Sequence, residues 1–529
     1  MLRSGGKGML KVIQNGKTVE IPSQEGASIL FALQSAGLTG IHAPCGGNGT
    51  CHQCGAMITG RLRAVGGGEE KDADHETLLA CRWIPLSDCE VVLPDTEKLD
   101  VLTTGAGNIR PCGEKLGVAV DIGTTTVAVF LYDLATGQQL AIDSGRNAQR
   151  AYGADVISRI QYSAGEGGLA RLQKAICDQL SGEIDAVCKK AGRDRAEIEL
   201  VSVAGNTVMG HLFDGLSPVA IGVAPFTPES LFGDFRPAER LLPGLAPNAQ
   251  IYLCPALAGY VGGDITAGLL SSGAWLQESS CLFLDIGTNG EMGLGDKNGY
   301  LCCATAAGPA FEGAEIECGM GGAPGAISKV KYEDGQIKLE VIGGGEAEGI
   351  CGSGLIDALA ALLCCGAVQE NGRMLPPDEA DEAIRDHLRR GEDGGMRFYL
   401  TDKVYISAAD VRQLQLAKSA IRAGIETLLT ERGESYKDVQ HVLIAGGFGA
   451  YMDVRSACGI GLLPPAFLDR TRHVGNSAGA GAALALDAEQ RALLRKVTDD
   501  CTYLELSSSA LFMEKYIECM VFDEFEEVF

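Results

Sequence analysis

Four residues, Asp-Ile-Gly-Thr, occur twice in this chain of 529, at 121–124 and at 285–288. Each copy closes one apolar run and opens another, in "VAVDIGTTTVAVFLYD" (118–133) and "LFLDIGTNGEMGLGD" (282–296). A strand, a tight turn and a second strand, repeated so far apart, constrain the chain to two similar halves. Around the copies strands alternate with helices. "LARLQKAICDQLSGEIDAVCKKAG" and "AADVRQLQLAKSAIRAGIETLLTERG" space their apolar residues by three and four, the helical period. The reading is a duplicated α/β body over 116–529.

A strand ending in Asp-x-Gly-Thr offers a carboxylate, a turn without a side chain and a hydroxyl. These suit a Mg²⁺-bound water, close approach of a phosphate and a hydrogen bond to it. Asp121, Gly123 and Thr124 fill those roles in the first copy, with Thr125 next. Asp285, Gly287 and Thr288 fill them in the second, with Asn289 next. A single Asp-Gly turn is commonplace in hairpins; two copies in equivalent settings are not.

The first 95 residues have another texture. "LKVIQNGKTVEIP" reads as two short strands about an Asn15-Gly16 turn, "SILFALQSAG" as a short helix closing on Gly37, and "CEVVLP" as a last strand with its exit at Pro94. Strand pair, helix and further strands suit a β-grasp, ferredoxin-like module over 1–95. Residues 96–115 show no sustained period and read as a flexible linker that would let the small domain move.

Within the small module, Cys45, Cys51 and Cys54 follow the pattern C-x5-C-x2-C, and Cys81 comes later. Four thiolates of this kind suit a [2Fe–2S] cluster, in a loop one residue longer than the plant-type spacing. Gly46, Gly47 and Gly49 would let the backbone wrap an anionic cluster and aim N–H groups at sulfur. A structural zinc more often uses two C-x2-C knuckles, and here only 51–54 is one. Cys89 competes with Cys81 for the fourth place, and a core position at a strand start is the alternative for it. His52, between the ligands, either tunes the site or sits exposed. The chain carries 19 cysteines, an odd number, with no signal peptide, so a disulfide framework is not expected.

Charge excludes some partners. With 44 basic and 69 acidic residues the chain carries a net −25, which repels nucleic acid and anionic membrane surfaces. No apolar leader opens it, and the run "LAALLCCGAV" is too short to span a bilayer. A cytoplasmic protein is expected.

The paired loops resemble the phosphate-1 and phosphate-2 loops of the sugar kinase, actin and heat-shock ATPase superfamily. That resemblance implies two ribonuclease H-like halves with ATP and Mg²⁺ in the cleft. "PALAGYVGGDITAGLL" resembles the first connecting helix, with Asp264 placed to orient the attacking water. "HVLIAGGFGAYMD" resembles the adenosine motif through Gly446, Gly447 and Gly449. "VGNSAGAGAALAL", with Gly475, resembles the second connecting helix, whose small residues let two helices cross at a hinge.

Together the two parts resemble the reductive activators of corrinoid proteins, from about Leu10 to past Leu506. The similar stretches include "NAQRAYGADVISRI", "AGNTVMGHLF", "IGVAPFTP", "AAGPAFEGAEIECGM", "GICGSGLIDA" and "YLELSSS". The resemblance implies one-electron reduction of an inactive Co(II) corrinoid protein of a methyltransferase system to Co(I), driven by ATP. A low-potential ferredoxin, flavodoxin or reductase would supply the electron, and a homodimer is possible. Plant-type clusters lie near about −400 mV and the cobalt couple is lower, so the transfer runs uphill. Each ~59 mV of gap costs a factor of ten for one electron. The chain passes from 96–115 straight into the first phosphate loop, so it is read as lacking the extra middle domain of some activators. The rival readings are a redox-regulated small-molecule kinase, a chaperone-like ATPase with a sensing cluster, and an electron donor to another metalloenzyme akin to the dehydratase activators.

Overall fold

The computed structural model describes residues 9–14, 16–24, 26–38, 41, 54–94, 107–313, 315–447, 449–522 and 528. The amino-terminal sheet holds β1 (Met9–Gln14), β2 (Lys17–Pro22), β3 (Gly55–Ala64), β4 (Glu70–Leu79), β5 (Trp83–Pro85) and β6 (Cys89–Val92). β1 and β2 form a hairpin in which Gln14 faces Lys17, the two-residue connection expected at 15–16; Asn15 lies outside the described residues. Helix α1 (Ile29–Ser35) starts where the Ser28 side chain accepts from the Phe31 N–H. It packs Ile29, Leu30, Ala32 and Leu33 into a core shared with Val12, Ile58 and Val91. β1 and the last strand, β6, then pair in parallel. This is the β-grasp arrangement that the sequence pointed to.

The body begins with β7 (Leu116–Ile122), β8 (Thr126–Asp133) and β9 (Gln138–Arg146), an antiparallel meander. After α2 (Val156–Ser163) and α3 (Gly168–Ala191) comes β10 (Ile198–Gly205), parallel to β7. Then follow α4 (Thr207–Asp214), β11 (Phe235–Pro237), α5 (Ala238–Leu241), β12 (Gln250–Leu253) and α6 (Gly263–Ser272). The sheet order is β11-β12-β10-β7-β8-β9. α3 is helical for the reason the spacing predicts: Leu172, Ile176, Leu180, Ile184 and Val187 fall on one buried stripe, and Gly192 in the left-handed region ends it.

The second half repeats this plan. β13 (Cys281–Ile286), β14 (Gly290–Asp296) and β15 (Gly299–Thr305) form the meander. Two small sheets follow, β16 (Ala326–Glu333) with β17 (Gln336–Val341) and β18 (Gly349–Ile350), then β19 (Leu388–Arg390) with β20 (Met396–Tyr399) and β21 (Tyr405–Ser407). Between them lies α7 (Gly352–Cys364), and after them α8 (Ala408–Arg432). β22 (His441–Ala445) returns parallel to β13, and β23 (Thr471–Gly475) lies beyond it. α9 (Val454–Gly459) separates those two strands, and α10 (Ser477–Leu484), α11 (Ala488–Asp499), β24 (Cys501–Tyr503) and α12 (Ala510–Glu518) complete the chain. The order β23-β22-β13-β14-β15-β24 matches the first half from its central strand outward, with β24 added at one edge. α12 and the residues after it lie on α8, whose Gln415 Nε2 donates to Met520 O at 3.0 Å.

α6 and α10 hold the equivalent place in the two halves and cross between them. Gly481 permits the crossing, because a Cβ there would collide with the Ala267 carbonyl. Ser271 Oγ donates to Ser477 O at 2.7 Å across the same contact. Around the crossing, Phe130, Phe283, Leu269 and Ala482 join the halves in one core. Burying a side chain such as Phe283 contributes about 1.5–3 kcal/mol.

The linker read over 96–115 needs correction. Residues 95–106 lie outside the described residues, but those from 107 on are fastened to the body. Ile109 N–H donates to Gly137 O and Cys112 N–H to Leu134 O, both at 2.8 Å. Arg110 pairs with Asp487 and Glu489. The turn between β8 and β9 leaves carbonyls free of the ladder, and this segment takes them. Among the described residues no helix is long and apolar enough to cross a membrane.

Candidate functional site

Both Asp-Ile-Gly-Thr turns open at the ends of their half's central strand, on the cleft between the halves. Asp121 is opposite Ala128 in the β7–β8 pair, and Asp285 is opposite Glu291 in the β13–β14 pair. Asp264 lies in the first turn of α6 and accepts from the Ile265 N–H at 2.9 Å. The structure thus brings the three predicted aspartates together. Each keeps part of its surface open to the cleft, yet the protein around it removes most of its water. Burial, then the Asp264 carboxylate, pushes Asp121 up to about 7, with an Asn476 hydrogen bond opposing. Burial, then Asp264 and Asp121, pushes Asp285 up to about 8. Asp264 rises to about 6, chiefly through burial.

Three residues that the sequence reading did not assign tie the halves together here. Glu312 accepts from Thr125 Oγ1 of the first loop at 2.6 Å and from Thr288 Oγ1 of the second at 2.9 Å. Those two hydroxyls lie 3.4 Å apart. Glu291 Oε1 accepts from Asn206 Nδ2, at the start of α4, at 3.2 Å and from Asn289 Nδ2 at 3.3 Å. Burial, then Asp264 and Asp285, raises Glu291 well above the usual carboxyl range. Asn476, at the start of α10 in the second half, bonds Asp121 in the first. Glu312 belongs to "AAGPAFEGAEIECGM", a stretch singled out only as family-like. A carboxylate in a short segment bounded by Gly308 and Gly313 was its signal. Glu291 could have been found from its place opposite Asp285 in the hairpin register.

On the other wall, Gly446 follows β22 at φ +91°. A Cβ there would lie 2.5 Å from Asp285 Oδ1, so only glycine lets this loop close over the second phosphate turn. Gly446 N–H donates to Gly475 O at 3.3 Å, which joins the ends of β22 and β23. Gly449 opens the short 3₁₀ turn Gly449–Tyr451. A Cβ on Gly447 would meet no atom within 4 Å, and one on Gly287 would meet only Glu312 Oε1 at 3.8 Å and Asn289 O at 4.0 Å. Bare backbone at both turns faces open cleft, so the residues fit a nucleotide laid across them. Among the described residues no group of three or more His, Cys, Asp or Glu could hold a metal ion directly.

A segment after β9 ties the first loop to the amino-terminal domain. Asn147 Nδ2 donates to Gly123 O at 2.7 Å and its N–H to Thr125 O at 2.9 Å. Arg159 Nη2 donates to Thr124 O at 2.6 Å. Burial, then Arg150, pushes the Arg159 guanidinium down to about 9. Five residues past Asn147, Tyr152 OH donates to Gln34 O of α1 at 3.1 Å, and Gln34 Nε2 donates to Ala151 O. Both Gln34 and Tyr152 are buried by this contact.

In the small domain, Cys54 and Cys81 are buried and their backbones adjoin, with Ala80 N–H donating to Cys54 O at 2.9 Å. Cys45, Cys51, His52 and Gly46, Gly47 and Gly49 lie outside the described residues. Cys89 starts β6 opposite Leu10, its thiol donating to Ser87 O at 3.4 Å. Two buried cysteines with adjoining backbones and no disulfide suit soft-metal ligation.

Residues 12–86 match the model of the 2Fe–2S iron-sulfur cluster binding domain. Residues 116–276 match that of the RACo middle region, and 279–528 that of the C-terminal, ASKHA domain of RACo. The middle region is therefore present, against the sequence reading, and it coincides with the first half of the body. The corrinoid activation enzyme RamQ of Eubacterium limosum is 38% identical over 451 residues, covering 81% of this chain and 75% of that protein. A methylated-amine-specific Co(II) corrinoid protein reductase of Methanosarcina barkeri is 25% identical over 444 residues, 76% of each chain. The solved structure of a reductive activator for a corrinoid, iron-sulfur protein superposes with a TM-score of 0.69 at 31% identity, covering 97% of this chain and 98% of that one. The chain belongs to the RACo family of reductive activators of corrinoid proteins.

Proposed function

We infer that the protein uses ATP hydrolysis to reduce the inactive Co(II) form of a corrinoid protein to Co(I). The observation that carries this reading is the wall at 147–152, bonded on one side to the first phosphate loop and on the other to α1 of the cysteine-bearing domain. Redox module and nucleotide cleft thus share a structural element, as a coupled device requires. A [2Fe–2S] group held by Cys45, Cys51, Cys54 and Cys81 would supply a one-electron carrier. Cys81 is preferred to Cys89 as the fourth ligand, because its neighbour Ala80 bonds the Cys54 carbonyl while Cys89 is committed to the β1–β6 pair.

In the cleft, Thr124, Thr125 and Thr288 donate to phosphate oxygens, while Gly123, Gly287, Gly446, Gly447 and Gly449 admit the nucleotide to the backbone. Gly475 ends β23 beside that loop. Asp121 and Asp285 would hold Mg²⁺ through water, since among the described residues no three ligating side chains converge to grip it directly. Such an ion would supply positive charge to two carboxyls that burial, and then neighbouring carboxylates, raise. Asp264, the most readily ionised of the three, accepts a proton from the attacking water at its carboxylate. A low-potential ferredoxin, flavodoxin or reductase serves as donor, and the acidic chain disfavours nucleic acid as a partner.

Anaerobic protein, reduced donor, a Co(II) corrinoid protein and ATP should together give the Co(I) absorption band. Equal Co(I) formation without ATP overturns the reading. Iron content after Cys81→Ala should fall, while Cys89→Ala should keep it; the reverse result moves the fourth ligand to Cys89.

A further inference from the structure

Glu312 stands where a phosphate is expected. The two threonine hydroxyls that it receives, Thr125 Oγ1 and Thr288 Oγ1, come from the two phosphate loops and from opposite halves. A carboxylate accepting two hydroxyl hydrogen bonds, one on each oxygen, presents the same sign of charge and a similar pair of acceptors to one edge of a terminal phosphate. Its placement is built rather than incidental. Glu312 ends the 3₁₀ turn Pro309–Glu312, anchored by the fully buried Phe311 and flanked by Gly308 and Gly313, both at positive φ. The fields of two cations, Arg150 and Arg159, reach Glu312, and Arg150 lies within the segment that bonds both the first loop and α1.

We propose that Glu312 is a phosphate surrogate: it holds the two loops together in the nucleotide-free protein, and the terminal phosphates of an incoming nucleoside triphosphate displace it. This rests on reading the cleft as a nucleotide site and deepens it. Phosphate and carboxylate cannot share the threonine pair, because two anions at that distance repel and compete for the same donors. Displacement of Glu312 changes the field at Arg150, so arrival of the nucleotide is felt on the segment that holds Gln34 of the redox domain. No bond forms or breaks in this step, and Glu312 acts as a positioning residue.

The test is equilibrium binding of a non-hydrolysable ATP analogue and of AMP to the full anaerobic chain, without donor or corrinoid protein. Glu312→Gln keeps the shape and removes the charge, so it should tighten the analogue by about tenfold, since bonds to a charged acceptor are about twice as strong as neutral ones. AMP, which lacks the terminal phosphates, should bind equally to both proteins. Glu312→Ala should tighten the analogue at least as much and lower the thermal midpoint of the nucleotide-free protein. If Glu312 instead serves as a base or a metal ligand, Glu312→Gln leaves analogue affinity unchanged or weakened, and the proposal falls while the nucleotide site stands. Equal tightening for AMP also overturns it. A wild-type chain that binds neither nucleotide overturns this proposal and the ATP-driven reading together.

Discussion

At the head of the first connecting helix stands Asp264, and at the head of the second stands Asn476. The halves share strand order, strand direction and the Asp-Ile-Gly-Thr turn, yet this one exchange makes them electrostatically unequal. Burial and then Asp264 raise both aspartates, but Asp121 in the first half receives an opposing hydrogen bond from Asn476, whereas Asp285 in the second is raised further by Asp121. Asp121 therefore rises to about 7 and Asp285 to about 8. A duplicated fold gives symmetric positions, and a few side chains at its seam turn them into a charged side and a more protonated side. The first half differs in a second way: among the described hydrogen bonds, those reaching from α1 into the body end on its segment at Ala151 and Tyr152.

The largest effect is expected where the halves touch. Gly481→Leu drives a side chain into the Ala267 carbonyl and should destabilise the protein by more than about 3 kcal/mol, measured by thermal unfolding. A mild effect would mean that the helix crossing is loose and the halves move independently.

Next comes the inequality of the aspartates. Asp121→Asn removes the carboxylate that Asn476 supports from the other half and should lower ATP hydrolysis by about 10²–10³-fold, with a smaller loss for Asp285→Asn. Steady-state rates at saturating nucleotide decide it, and equal losses would erase the distinction between the halves.

A pH series sharpens the same comparison. Both aspartyl groups ionise less readily folded than unfolded, so the folded chain binds more protons between the unfolded value of 3.8 and the folded values of about 7 and about 8. Stability of the protein free of nucleotide and metal is fully present below the unfolded value and is lost as pH rises through that window. Asp285→Asn should flatten the upper end of the decline. Asn476→Asp replaces a donor by a carboxylate and should raise Asp121 by about one unit, near the value of Asp285. Thermal midpoints measured across pH check both; an unshifted profile in Asn476→Asp would remove Asn476 as the source of the asymmetry.

The smallest effect belongs to the contact confined to the first half. Tyr152→Phe deletes one hydrogen bond to Gln34 O and should cost about 1 kcal/mol of local stability. Amide exchange should quicken in α1 and at 148–151 while the second half stays unchanged. Exchange that quickens everywhere would show that the contact supports the whole fold.

Much of this architecture was legible in the chain itself. The paired Asp-Ile-Gly-Thr turns and the helical periods of α3 and α8 are local patterns, and local patterns survive in sequence. The hairpin at 15–16 and the short helix closing on Gly37 could be read for the same reason. The second half of the presumed linker was misread because its hydrogen bonds run to the turn between β8 and β9 and to Asp487, partners invisible to a window of neighbouring residues. Glu312, Glu291 and Asn476 escaped notice for a related reason: each is an unremarkable polar residue until the fold brings its partner from the other half.

The amino-acid order alone determined that there are two strand-turn-strand phosphate loops, a thiol-rich module ahead of them and a strongly acidic surface, because each depends on residues close together in the chain. Which carboxylates face one another, which threonines share Glu312, and which wall of the cleft meets α1 were decided only when the two sheets closed around α6 and α10. Hydrogen bonds and charge repulsion fall off within a few ångströms, so only the packed structure can assign their partners.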